Sequence, residues 1–191
     1  MHSLEPFYNW RDFYIASEDA RSPFFGREYS EFEFTHAIYD HVIHPQWDSF
    51  GSNTLFLKVL YCDYEQETAI IEFIGEWNDL LYSDIDILKR EFIDDLIEQG
   101  INKYILIMEN VLNFHADNDC YYEEWFEDVF GDDGYICTIN LRQQVMDEMQ
   151  QVGIDNYLLS GGKLADIAWR TKTPQRFISE VNEHVQKRLM F

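Results

Sequence analysis

Basic residues are scarce in this chain of 191: 14 Lys and Arg stand against 36 Asp and Glu, a formal net charge of −22. A surface so acidic repels phosphate backbones and anionic head groups, which argues against nucleic acid or a membrane surface as partner and favours a cation or a protein with a basic patch. The plainest role of the charge is solubility. Cysteine is nearly missing as well. Cys62, Cys120 and Cys137 make an odd count without CxxC spacing, which excludes a disulfide framework or zinc knuckle and fits a reducing compartment. No apolar run reaches the roughly 18 residues of a membrane span and no leader pattern opens the chain, so a soluble, cytoplasmic protein is expected. With nine Gly, four Pro and 46% hydrophobic residues, the composition is not that of disorder. Signatures of nucleophilic, phosphate-binding or zinc-hydrolase chemistry (GxSxG, the P-loop, GxGxxG after a strand, HExxH) are absent, and nothing calls for a cofactor.

The pattern that is present predicts one α/β domain with decorated ends. Residues 7–34 hold ten aromatics with weak periodicity, broken at Ser22-Pro23 and Gly26, and read as an irregular arm anchored by its rings or as a homodimer contact. Phe32 to His44 reads as a strand. Leu55–Cys62 and Ala69–Ile74 form a hairpin around Asp63-Tyr64-Glu65-Gln66. A helix follows, capped by Ser83, with Ile85, Leu88, Phe92 and Leu96 as its stripe and Gly100 as its stop. Ile101–Leu112 is a central strand, and Asn113–Asp119 a polar turn into a helix bearing Tyr122, Trp125, Phe126 and Val129. Tyr135–Ile139 is the next strand, with Asn140 as cap of a helix carrying Leu141, Val145, Met149 and Val152, and Asn156–Leu159 the last. After the Gly161-Gly162 hinge, Thr173 and Pro174 start a helix with Phe177, Val181, Val185 and Leu189 on one face. Residues 163–191 carry six basic and three acidic groups, so this tail is +3 and residues 1–162 carry −25. A basic tail on an acidic body most simply folds back onto it.

Two stretches carry a family likeness. Tyr104-Ile105-Leu106-Ile107-Met108 runs on to Val111-Leu112-Asn113-Phe114-His115-Ala116-Asp117, and Ile136-Cys137-Thr138-Ile139-Asn140 runs on to Val145, Met149 and Gly153-Ile154. With the element order from Thr54 to Ser160, this resembles the STAS domain, the fold of bacterial anti-sigma-factor antagonists and of the cytoplasmic domains of sulfate transporters. The resemblance implies a mixed β-sheet with crossover helices over residues 54–160, an added aromatic arm and strand over 1–53, and a helical extension over 161–191. It also implies a regulatory protein-interaction module. In the family, the first such strand leads to an Asp followed by a phosphorylatable Ser or Thr. Between Val111 and Phe130 this chain has neither, and Asp117-Asn118-Asp119-Cys120 stands there instead, a fixed anionic loop in place of a switchable one.

The expected recognition surface is therefore the acidic loop-helix 113–128, with Asn113, His115, Asp117, Asn118, Asp119, Glu123 and Glu124 facing a protein partner. The alternative is a metal-dependent enzyme or metal-binding protein using His115, Asp117 and Asp119, since imidazole and carboxylate suit a divalent ion. Asp117, Asp119 and Asp128 mimic positions of a calcium loop, but Tyr122 occupies the place that needs Gly. On one extended strand His41 points away from His36 and His44, and those two lie roughly 26 Å apart, too far to share an ion. The acidic group Glu123, Glu124, Glu127, Asp128, Asp132 and Asp133 reads as a solvated face.

Overall fold

The structure, a computed structural model, describes residues 3–189. The side chains of Ser3, Asp132 and Leu189 lie outside that description, and with them the predicted roles of Asp132 in the acidic face and of Leu189 in the last helical stripe. The centre is a mixed four-stranded sheet whose strands lie side by side in chain order. Three short strands, β1 (Ser3–Leu4), β2 (Ala37–Ile38) and β3 (His41–Ile43), form a separate small sheet in the order β1-β3-β2. In the main sheet β4 (Leu55–Asp63) and β5 (Thr68–Asn78) are antiparallel, as a hairpin must be, while β6 (Lys103–His115) and β7 (Tyr135–Ile139) continue in parallel. The architecture is thus the expected α/β one, a mixed sheet with crossover helices.

Between β5 and β6 the expected single helix is four pieces: α1 (Asp79–Tyr82), α2 (Asp84–Leu88), a π-helical turn (Lys89–Ile93) and α3 (Asp94–Glu98). Ser83 is not its cap. It sits at φ 52 with no side-chain cap bond, because Asn78 caps α1 and the Asp79 carboxylate takes the Ile85 N–H in its place. The stripe Ile85, Leu88, Phe92 and Leu96 is buried as expected. Helices α4 (Cys120–Val129) and α5 (Gln143–Gln151) complete this layer. Asn140 does not cap α5. At φ 55 it turns its amide onto the Ile167 backbone, so the helix begins after Arg142. The last predicted strand is a 3-10 turn (Ile154–Asn156) followed by one bridge from Leu159 to Cys137.

The two faces of the sheet are covered differently. Alternate residues of β5 and β6, among them Ile71, Phe73, Tyr104, Leu106 and Met108, pack under α2 to α5 with Trp125, Val145 and Met149. The other parity, Ile70, Ile105 and Ile107, packs under the C-terminal helix α6 (Pro174–Leu189) through Trp169, Phe177, Ile178 and Val181, together with Trp10 of the arm. The β2–β3 hairpin covers the rest of that face over Phe56 and Ile74. It replaces the long strand predicted for Phe32–His44: Tyr39 at φ 52 reverses the chain, and His36, His41 and His44 therefore do not share one strand. Gly75 lies in the middle of β5 because a Cβ there would stand 2.1 Å from the Thr54 carbonyl oxygen and 2.6 Å from Ile38 Cδ1.

The chain ends are tied down. Phe24 stacks on Phe92, Trp10 packs edge-on against Phe7 and Trp169, and the Trp10 indole donates to the Lys172 carbonyl. Arg188 donates to the Ser160 carbonyl at 2.7 Å and to that of Gly161, while Arg170 reaches Glu72 and Glu109 of the sheet. The basic tail thus folds back onto the acidic body. Cys62 and Cys137 are buried, as expected, and burial pushes the Cys62 thiol up to about 12. No helix among the described residues is long and apolar enough to cross a membrane.

Candidate functional site

The parallel strands β5 and β6 end side by side, with Asn78 opposite His115 and Glu76 opposite Asn113. Strand β6 holds 13 residues and β5 11, because the register slips twice, at mid-strand between Glu72 and Ile74 and again between Gly75 and Glu76. Asn113 and His115 therefore belong to β6 rather than to a loop, correcting the predicted turn. Each of the two slips adds a residue to β6 and carries its last residues out to a rim. There the Tyr39 hydroxyl donates to Glu76, Asn113 donates to that hydroxyl at 2.8 Å, Asn78 donates to Glu76 at 3.2 Å, and His115 Nε2 stands 3.5 Å from the same carboxylate. Burial alone would raise the Glu76 carboxyl, but these hydrogen bonds and His115 hold it below its ordinary value.

Behind the rim lies a second carboxylate site. Asp79 accepts from the Trp77 indole and the Ile85 amide, each at 2.9 Å, and from the Tyr122 hydroxyl at 2.6 Å. Burial outweighs these donors and pushes its carboxyl up to about 6. Asp84, also buried, accepts from the Asn78 amide at 2.8 Å. These two anchors pin both ends of α1, and what lies between them has no cover. Leu80 is 60% exposed, Leu81 71% and Tyr82 39%. Three consecutive apolar residues presented to solvent beside an acidic loop break the usual patterning of a soluble surface.

The predicted recognition residues divide. Asp117 and Asn118 are exposed, joined by an amide–carboxylate bond of 2.8 Å, and with Asp86, Ser83 and Tyr121 they line a recess of about 30 Å³. Asn118 rather than Asp119 serves the start of α4, accepting from the Cys120 amide at 3.1 Å. Asp119 turns towards Tyr157, whose hydroxyl stands 3.3 Å away. Glu123 is exposed, but Glu124 makes a two-pronged ion pair with Arg90 at 2.6 and 2.9 Å, and Lys89, only 1% exposed, gathers Asp94, Glu124 and Asp128. Part of the acidic face predicted as solvated is thus neutralised within the chain. The three candidate metal ligands go to different neighbours, His115 to Glu76, Asp117 to Asn118 and Asp119 to Tyr157. Among the described residues no group of three or more His, Cys, Asp or Glu is placed to hold a metal ion.

Three solved structures show a likeness to part of this chain. The chain is similar to anti-sigma factor antagonists. SpoIIAA in its unphosphorylated form shares 14% identity, covering 56% of this chain and 89% of that one with a TM-score of 0.41. The Bacillus cell-fate determinant SpoIIAA in its phosphorylated form gives 14%, 56%, 92% and 0.38. A Thermotoga maritima protein assigned as an anti-sigma factor antagonist gives 12%, 66%, 92% and 0.43. At these identities and TM-scores the likeness is one of backbone arrangement and carries no chemistry. No sequence-family profile and no curated protein matches the chain.

Sequence reasoning missed Leu80-Leu81-Tyr82, Tyr39 and Glu76. The first had a partial signal: Leu80 and Tyr82 precede Ser83 and fall off the Ile85, Leu88, Phe92, Leu96 stripe, whereas Leu81 keeps its spacing and is exposed only because the chain breaks at Ser83. Tyr39 and Glu76 had none, since their pairing depends on a hairpin folding over β5.

Proposed function

We propose that this protein is a non-enzymatic interaction module in regulation or assembly, and that it recognises a protein partner through the rim at the carboxyl ends of β5 and β6. The observation that carries the reading is the exposed Leu80-Leu81-Tyr82 ridge next to Ser83, where Asp86 and the exposed Asp117 line a shared recess. An apolar anchor ringed by charge is how protein interfaces combine affinity with orientation. The partner this fits carries an apolar pocket flanked by Lys or Arg, because acidic groups speed and steer the approach of a basic surface. His115 and Asn113 belong to the same rim through the Tyr39–Glu76 knot, Asn118 shapes its loop, and Asp119 and Glu124 support it from behind.

The arm gives less support to a homodimer. Trp10 and Phe24 are buried within the chain, leaving Phe13, Phe25, Phe32 and Phe34 as the exposed rings. A photo-crosslinking residue at position 81, compared with one at Gln186 on α6, tests the interface in native extract. The expected result is one protein captured from position 81 only, whose binding falls at least about tenfold with Leu81→Ser or with Asp117→Ala plus Asp119→Ala and weakens as salt rises. Capture that both substitutions leave unchanged removes the rim from consideration.

A further inference from the structure

The N-terminal arm does not close completely onto β4. Between them lies a half-open cavity of about 200 Å³, walled by Phe7, Tyr8, Trp10, Tyr14 and Tyr29 and floored by Val59 and Leu60. Two cations stand on one wall. Lys58 donates to the backbone carbonyl of Gln46 at 2.9 Å, and Arg11 donates to the side-chain carbonyl of the same Gln46 at 3.0 Å. A single residue thereby holds both charges at the same place. In a chain with only 14 Lys and Arg, this convergence runs against the general acidity of the surface.

We propose that this cavity binds a small planar aromatic carboxylate. Among the described residues, the lining carries these two cations and no carboxylate. Asp48, buried behind Lys58, faces Lys58 at 3.3 Å, is shared with Arg27 at 3.1 Å and also takes the Tyr29 hydroxyl, while Glu31 meets Arg11 in a neighbouring recess outside the cavity. Arg11 lies over the Tyr8 ring at 4.0 Å, which fixes the guanidinium plane at the cavity mouth and leaves most of its N–H fork for a ligand. A carboxylate suits that fork because two parallel charge-assisted hydrogen bonds form at once. The five aromatic walls call for a flat apolar body, and the volume lies below the roughly 300 Å³ where sites for drug-sized ligands begin. One ring or a fused pair fits; a nucleotide does not.

Titration of the full chain with 4-hydroxybenzoate and indole-3-carboxylate, followed by amide shifts in two-dimensional NMR, tests the site. Saturable binding with Kd below about 1 mM is expected, with shifts at residues 14–17 and 58–60. Indole-3-carboxamide, which lacks the charge, is expected to bind at least about tenfold more weakly, and Arg11→Gln to lose a similar factor for the carboxylates. Arg11 is exposed, so this variant keeps the fold, which its unshifted core amides will show. No saturation by about 10 mM, shifts elsewhere, or equal binding of the carboxamide or by Arg11→Gln would overturn the proposal.

Discussion

The two faces of the β4–β7 sheet are buried by different means. On one, α2 to α5 lay apolar stripes over Ile71, Phe73, Leu106 and Met108, and the charged groups buried there are each held by several partners, Asp79 by Trp77, Ile85 and Tyr122 and Lys89 by Asp94, Glu124 and Asp128. On the other, chain ends do the covering, and charge is trapped beneath them: Glu72 is 1% exposed, Asp48 likewise, and Lys58 has little access. Helices present a continuous face that packs closely, whereas the arm leaves a cavity of about 200 Å³ over β4. Buried charge is thus common to both faces, and the cavity is what covering by an arm adds.

The contrast is broken most severely from the helical side. Trp125 is fully buried and meets Tyr104 edge-on at 5.0 Å, so Trp125→Ala is expected to cost about 3–5 kcal/mol in denaturant unfolding. Next comes Gly75→Ala, expected to cost about 2–4 kcal/mol, because φ 121 strains any residue with a Cβ and the methyl would press on the Thr54 carbonyl and on Ile38 of the β2–β3 hairpin. Hydrogen exchange should then show the amides of β2 and β3 opening while those of β6 stay protected; protection kept in the hairpin would mean that it is not seated on Gly75 as described.

A third test uses the trapped charge. Burial pushes the Glu72 carboxyl up to about 7 from an ordinary 4.5, against the pull of Arg170. Because the folded state holds this proton after the unfolded chain has lost it, the contribution is most favourable below about pH 4.5 and is lost as pH rises to about 7. The loss amounts to about 3 kcal/mol. Stability curves of Glu72→Gln should lack that fall across this window, so that the variant gains on the wild type as pH rises; parallel curves would show that the tail leaves Glu72 solvated.

The same division decides what was legible in the sequence. Strands β4 to β7 and the stripes on α4 and α5 follow from period and breakers alone, since each buries a face by local pattern. The Phe32–His44 hairpin did not, because neither parity is polar and the reversal rests on Tyr39 adopting a left-handed conformation rare for a bulky residue. The helix start was misplaced at Ser83 because two aspartates, Asp79 and Asp84, cap from inside the core, a role that needs tertiary burial to exist. At the rim, the exposure of Asp117 and Asn118 follows from their loop composition, whereas the Glu124–Arg90 pair spans 34 residues and has no local mark.

The smallest expected effect on folding is at the rim, and it separates interaction from stability. Leu81 is mostly in solvent and Asp117, among the described residues, bonds only its neighbour Asn118, so Leu81→Ser and Asp117→Ala are each expected to change unfolding free energy by less than about 0.5 kcal/mol. A residue that stabilises nothing yet exposes a leucine side chain to water costs solubility without return inside the monomer. If thermal denaturation instead shows either substitution costing about 2 kcal/mol or more, the ridge is packed against the chain and its exposure is not a docking feature.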